Sequence, residues 1–358
     1  MSEAVANETL VKTAAPPPPK EPKVPARLAQ LWKRGTDFLG CPVAILGGAM
    51  SWVSERHLVA AISNAGGFGV IACGSMNPAL LDAEIKATKA LTNKPFGVNV
   101  ITMHPQLLEL VEVCQSNHVS HVVFAAGLLP GEAIKKAKAF AKVICFAPAA
   151  SFAKRMVKSG ADALVIEGSE AGGHIGPVST AVLAQEILPV IRDVPVFVAG
   201  GIARGDAILS FLEMGASGVQ MGTRFVCATE SIAHPKFKQA FIRASARDAV
   251  ASVQYDKRLP VIAVRALANH GTEEFMETQR RVLEKHLRGE LELPAAQLEI
   301  EHFWAGALRR AVIDGDVERG SLMAGQSVGM VSREEPVADI IAELISQAEA
   351  ALAARAPG

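Results

Sequence analysis

Between Gly40 and Phe225 the chain repeats one pattern: a short apolar run ending in a glycine, an asparagine or another polar residue, an amphipathic stretch, and then the next apolar run. The runs are PVAILGG (42–48), FGVIACG (68–74), FGVNVIT (96–102), HVVFAAG (121–127), VICFAP (143–148), ALVIEG (163–168), PVFVAGG (195–201) and GVQMGTRF (218–225). Unbroken runs rich in Val and Ile mark strands buried on both faces, because a strand with one wet face alternates. The segments between them, such as SERHLVAAISNAG and PALLDAEIKATKALT, read as amphipathic helices. Alternation of this kind gives right-handed crossover units and a parallel sheet. Eight units predict an α/β fold, a closed (β/α)8 TIM barrel; an open doubly wound sheet is the alternative built from the same parts.

After Phe225 the pattern changes. Residues 231–310 read as mostly helical, as in EEFMETQRRVLEKHL, and predict a helical subdomain over the C-terminal face of the barrel. The segment GSLMAGQSVGMV (320–331) predicts a glycine-rich return toward the barrel, and a last helix is expected from roughly Val337 to Ala354. At the other end, Pro16 to Pro19 sit in a stretch that predicts an extended, disordered tail. The expected division is a tail over 1–26, a barrel over 27–230, a helical subdomain over 231–310, and a return segment with closing helix over 311–358.

Composition narrows the partners. Lys+Arg and Asp+Glu balance at 36 each, and no basic run stands out, so neither nucleic acid nor an anionic membrane surface is expected. The five cysteines are widely spaced in apolar runs without a CxxC pair, which fits a reducing, cytoplasmic setting without disulfides or zinc. No apolar stretch has the length of a membrane helix, and no signal pattern is present. HxH and HExxH spacings are absent, so no metal site is expected.

A parallel barrel builds its active site from the loops at the C-terminal ends of its strands. The unusual residues fall there. GGAMSW (47–52) allows close approach of backbone to a flat ligand, although an ordinary turn would read the same. Asn99 places an amide in an apolar strand, where a bound heterocycle or core partners would satisfy it. EGSEAGGHIG (167–176) surrounds His174 with glycines and predicts a loop histidine presented to ligand, able to take or give a proton. Gly200 and Gly201, with Gly222 and Thr223, end the last two runs, where barrels bind phosphate through backbone amides.

GGAMSW, AGGFGVIACG, KPFGVNV, EGSEAGGHIG, VAGGIARG, GASGVQMGTRF and GSLMAGQSVGMVS together resemble the nitronate monooxygenase family, which includes the former 2-nitropropane dioxygenases and, as close relatives, the FMN-dependent enoyl-acyl-carrier-protein reductases of type II. The likeness runs in order from about Gly40 to Ala348. It implies non-covalent FMN. It places Ala49, Met50 and Ser51 on the first flavin loop, Asn99 at a flavin-contacting strand end, Gly172 and Gly173 beside the ring system, and Gly200, Gly201, Gly222 and Thr223 around the phosphate. His174 takes the catalytic position, and Gln326 falls in a late segment near the flavin. Two departures stand out: GGAM replaces the usual QGGM, and Phe146 occupies a region where some members carry a lysine.

The first function this resemblance implies is nitronate oxidation with O2. The alternatives on the same scaffold are NADH- or NADPH-dependent reduction of an enoyl thioester, to which EGSEAGGHIG and GSLMAGQSVG look closer, or of a quinone. A non-redox barrel binding a phosphorylated metabolite is the reading from a different class. The expected partner is a small molecule (a nitronate, an enoyl thioester or a quinone), and a homodimer is the assembly considered.

Overall fold

The computed structural model describes residues 22–125 and 131–355. Pro16 to Pro19, and the last two residues of the fourth apolar run, lie outside the described residues. The chain enters at Pro22 beside Gly66. A helix, Ala26–Leu31, opens inside the stretch that reads as tail in the sequence.

Each of the eight apolar runs contains a strand. In chain order these are β1 Ile45–Gly47, β2 Gly69–Ala72, β3 Phe96–Ile101, β4 His121–Ala125, β5 Lys142–Phe146 and β6 Ala163–Glu167. A short extra strand, β7 Gly173–Ile175, follows, and then β8 Val196–Ala199 and β9 Gly218–Met221 complete the set. The eight barrel strands are parallel, in the order β1-β9-β8-β6-β5-β4-β3-β2. A parallel bridge between Leu46 and Phe68 shuts the ring. There the Gly47 amide donates to the Phe68 carbonyl, and the Phe68 amide to the Ile45 carbonyl, each at 2.9 Å. The fold is a (β/α)8 TIM barrel.

Continuous burial explains why the strands were visible as unbroken apolar runs. β2, β8 and β9 are buried at every position, because one face fills the barrel and the other meets the helices outside. At the N-terminal end, His121 packs between the rings of Phe38 and Phe68. Burial pushes its imidazole down to about 4, so it serves as a neutral core residue.

Beyond the barrel, residues 231–310 hold the helices Pro235–Arg243, His270–Leu287 and most of Leu293–Val312. They also hold two strands, β10 Ala249–Ala251 and β11 Ala263–Leu267, which the helical reading did not contain. β11 pairs antiparallel with β10, with β12 Leu322–Met323 from the return segment, and with β7 from the barrel mouth. These strands are too short and too unevenly buried for alternation to reveal them. A satellite core of Phe275, Val282, Ile300 and Trp304 supports the two long helices. Among the described residues no helix is long and apolar enough to cross a membrane.

The last helix, Val337–Ala354, packs against the helix Gly205–Glu213 that follows β8. A Cβ on Gly205 would stand 2.0 Å from the Leu344 carbonyl oxygen and 2.5 Å from the Ala348 amide. The contact is backbone against backbone and has no room for a methyl group. Gly205→Ala is therefore expected to destabilise the protein by about 1–3 kcal/mol, seen as a lower melting temperature with faster hydrogen exchange in Val337–Ala354; an unchanged melt would mean that the two helices separate freely.

Candidate functional site

A cavity of about 610 Å³ opens at the C-terminal ends of the barrel strands. Its wall brings together every residue singled out in the strand-end motifs. Ala49, Met50 and Ser51 come from the loop after β1, and Asn99 from β3. Gly172, Gly173 and His174 follow β6. Gly200 and Gly201 follow β8, and Gly222 and Thr223 follow β9.

The first loop is locked by its own hydrogen bonds. The Gly48 amide donates to the Met221 carbonyl at 2.8 Å. The Ser54 hydroxyl accepts from the Met50 amide and donates to the Gly48 carbonyl, each at 2.9 Å. The loop turns at Trp52, a non-glycine residue held at φ +67°. Asn99 is buried, and its Nδ2 donates to the Val123 carbonyl at 3.4 Å.

The glycines after β8 and β9 form a cradle of amides. Gly200 and Gly201 have φ of +100° and +72°, conformations that exclude most side chains. Among the described residues the amides of Gly200, Gly201 and Gly222 find no acceptor. Thr223 Oγ1 accepts from the Gly325 amide at 3.0 Å, so its own proton is left to donate. An anionic group is what such a set of donors would hold.

Gly172 has a different reason to be glycine. A Cβ there would lie 2.5 Å from the Gly325 nitrogen and 2.6 Å from the Ala324 carbonyl carbon. The return segment crosses it backbone to backbone. His174 sits on β7 rather than in a free loop, opposite Val264 of β11. Its Nε2 lies 3.0 Å from a carboxylate oxygen of Glu301, on the helix Leu293–Val312. Gln326 is not on the main wall. Its amide donates to the Glu170 carbonyl at 2.9 Å, and it borders a smaller cavity of about 260 Å³ with Glu170 and Thr180. Its neighbour Ser327 reaches both cavities. Phe146 lines the main cavity, with no lysine beside it.

Two wall residues escaped the sequence reading. Glu167 ends β6 and Gln220 lies in β9; neither side chain has a hydrogen-bond partner among the described residues. Burial pushes the Glu167 carboxyl up to about 8, so near neutral pH it is an acid that can donate as well as accept. Gln220 is buried and abuts Gly48, where a Cβ would meet its Nε2 at 3.3 Å. Each is the single polar residue in an apolar strand run, the same signal that drew attention to Asn99. Cys145, also on the wall, has its thiol pushed up to about 12 by burial and offers no thiolate.

The raised Glu167 carboxyl has a consequence for stability. Between its ordinary value of 4.5 and about 8, the folded protein keeps a proton that the unfolded chain loses. The stabilisation is full below that window and is lost as pH rises through it. The melting temperature of cofactor-free protein should fall over this range, and Glu167→Gln should flatten the fall; an identical slope in the variant would show that Glu167 is ionised in the fold.

The nitronate monooxygenase family model matches residues 33–117 and 106–347. The solved structure of FabK from Thermotoga maritima is 38% identical with a TM-score of 0.79, over 90% of this chain and 97% of FabK. Nitroalkane oxidase from Streptomyces ansochromogenes is 27% identical with a TM-score of 0.73, over 90% of this chain and 99% of that one. The (3aS,4S,5R,7aS)-5-hydroxy-7a-methyl-1-oxo-octahydro-1H-indene-4-carboxyl-CoA dehydrogenase of Mycobacterium tuberculosis is 30% identical over 89% of this chain and 97% of its own length. The matched residues carry all the barrel strands, residues 231–310 and the return segment, and the chain belongs to the nitronate monooxygenase family of oxidoreductases.

Proposed function

We propose that this protein is an FMN-dependent reductase of α,β-unsaturated acyl thioesters that takes its electrons from NADH or NADPH. The observation that carries the reading is the order of surfaces around the barrel rim. Strand order runs β9, β8, β6, β5. The amide cradle follows β9 and β8, Glu167 and the His174 segment follow β6, and the apolar side chains Phe146, Phe152 and Met156 follow β5. Phosphate-binding, proton-handling and apolar surfaces are thus neighbours in one cavity, as a flavin and an acyl chain together require.

The residues fit FMN. The free amides of Gly200, Gly201 and Gly222, with the Thr223 hydroxyl, would hold the phosphate. The unpartnered Glu167 and Gln220, with Asn99, would meet the donors and acceptors of the ring system, and Ala49 to Ser51 would cover it. FMN, when bound, supplies two-electron transfer between the nicotinamide and the substrate. The contribution of the protein is to take or give a proton at His174 beside the substrate, to lay the acyl chain on the apolar wall, and to keep water from the reacting carbons. The 38% identity to FabK favours this reading, as does the CoA thioester in the name of the Mycobacterium tuberculosis relative.

Nitronate oxidation with O2, the first implication of the sequence motifs, is the second reading. It is favoured by the full-length likeness to nitroalkane oxidase and by a histidine backed by a carboxylate, a suitable base for a carbon acid. The purified protein should be yellow and should release FMN on heating; a colourless protein that cannot be reconstituted with FMN would overturn both redox readings. In anaerobic stopped-flow, NADH or NADPH should bleach the flavin and crotonyl-CoA should restore its colour. Bleaching by propyl-2-nitronate alone, with none by either nicotinamide, would replace the reductase by the oxidase. His174→Ala should retain FMN and lose turnover by about 10²–10⁴-fold; full turnover would remove His174 from the mechanism.

A further inference from the structure

We propose that Glu301 is the positioning residue for His174. It fixes the imidazole as the Nε2–H tautomer and thereby makes Nδ1 the nitrogen offered to substrate. The inference rests on reading His174 as the proton-handling group of the site.

Glu301 Oε2 lies 3.0 Å from His174 Nε2, and Oε1 lies at 3.3 Å. A carboxylate only accepts, so Nε2 must carry a proton in this contact. In the neutral ring the lone pair is then on Nδ1. Among the described residues the Glu301 carboxylate has no other partner, so no competing bond draws it away. The side chains are 26% exposed for Glu301 and 36% for His174, and His174 lines the main cavity.

The helix that carries Glu301 is aimed at the mouth along one stripe. Glu301, Ala305 and Leu308 stand at spacings of four and three residues and so share a face. Leu308 lines the main cavity. The Ala305 carbonyl accepts from Trp52 Nε1 at 3.3 Å, directly after the first loop. The Arg309 guanidinium lies 5.7 Å from the centre of the Trp52 ring. The stripe thus ties together the loop after β1 and the histidine after β6. The strained φ of Trp52 is maintained at the point where this helix docks. The backbone of His174 is fixed by β11 and its ring by Glu301, so the orientation of the imidazole is set by the cap and not by the barrel alone.

The test reads the tautomer directly. Full-length FMN-bound protein labelled with 15N-histidine is examined at a pH where imidazoles are neutral, with the His174 signals identified by their loss in His174→Ala. The wild type should show the Nε2–H pattern. Glu301→Gln, whose amide oxygen still accepts from Nε2–H, should keep it; Glu301→Ala should give a mixture of tautomers. With substrate, Glu301→Ala should lower kcat by on the order of 100-fold, with KM changed far less and FMN still bound, and Glu301→Gln should recover most of that loss. In a His174→Ala background, Glu301→Ala should cost nothing more. An unchanged tautomer in Glu301→Ala, or a full additional loss in the double variant, would overturn the proposal. The nuclear magnetic resonance measurement does not depend on which substrate is turned over. A protein with the expected tautomer response and no thioester reductase activity would therefore overturn the reaction assigned above and leave the role of Glu301 standing.

Discussion

The mouth of this barrel depends on a closure made from very little backbone. β1 is three residues long, and a single bridged pair, Leu46 with Phe68, joins it to β2. Side chains pack over the backbone hydrogen bonds of that closure. Ile62 crowds Gly47, and Ile341 from the last helix reaches Gly67, so two helices press the seam shut from outside. Burying an aliphatic side chain of that size contributes about 1.5–3 kcal/mol. The pairing of β1 with β9 places the loop after β1 against the end of β9. The Gly48 amide bonds to Met221, and a Cβ on Gly222 would lie 3.4 Å from Met50 Sδ. An open sheet would leave the first loop at one edge and Asn99, on β3, toward the other. In the closed ring they face one cavity.

A second set of constraints comes from chain remote in sequence. The return segment lies on Gly172, bonds Thr223 through the Gly325 amide, and reaches the Glu170 carbonyl through the Gln326 amide. β11 completes the grip by pairing with β7, and the Arg265 guanidinium donates to the carbonyls of Ser169 and Ala249. Most of these contacts are to backbone, and they leave the segment that carries His174 little freedom. A site that positions a reactive ring within a fraction of an ångström needs that kind of support.

How much of this was legible in the sequence follows from what each feature looks like in one dimension. The barrel was readable because burial on both faces writes itself as unbroken apolar runs. The cavity wall was readable where a residue was odd for its surroundings, as Asn99 and the paired glycines were. What stayed hidden depends on pairing between distant segments. β10, β11 and β12 are short, and nothing local marks Glu301 as the partner of His174. Glu167 and Gln220 were written in motifs already singled out, but glycines drew the attention. The physical clue was the lone polar residue at an inward strand position.

The character of the cavity bears on what His174 and its carboxylate would do in either proposed reaction. No lysine or arginine lines the wall among the described residues, and Phe146 is part of it. Glu167 is held neutral by burial, so it adds no negative field near pH 7. An enoyl thioester gaining a hydride and a nitronate awaiting oxidation both place negative charge on oxygen. Among the described residues the one histidine on this wall is His174. A carboxylate oxygen of Glu301 lies 3.0 Å from its Nε2. The choice between the two proposed reactions would then lie with the molecule admitted along the apolar side, from Phe146 to Met156.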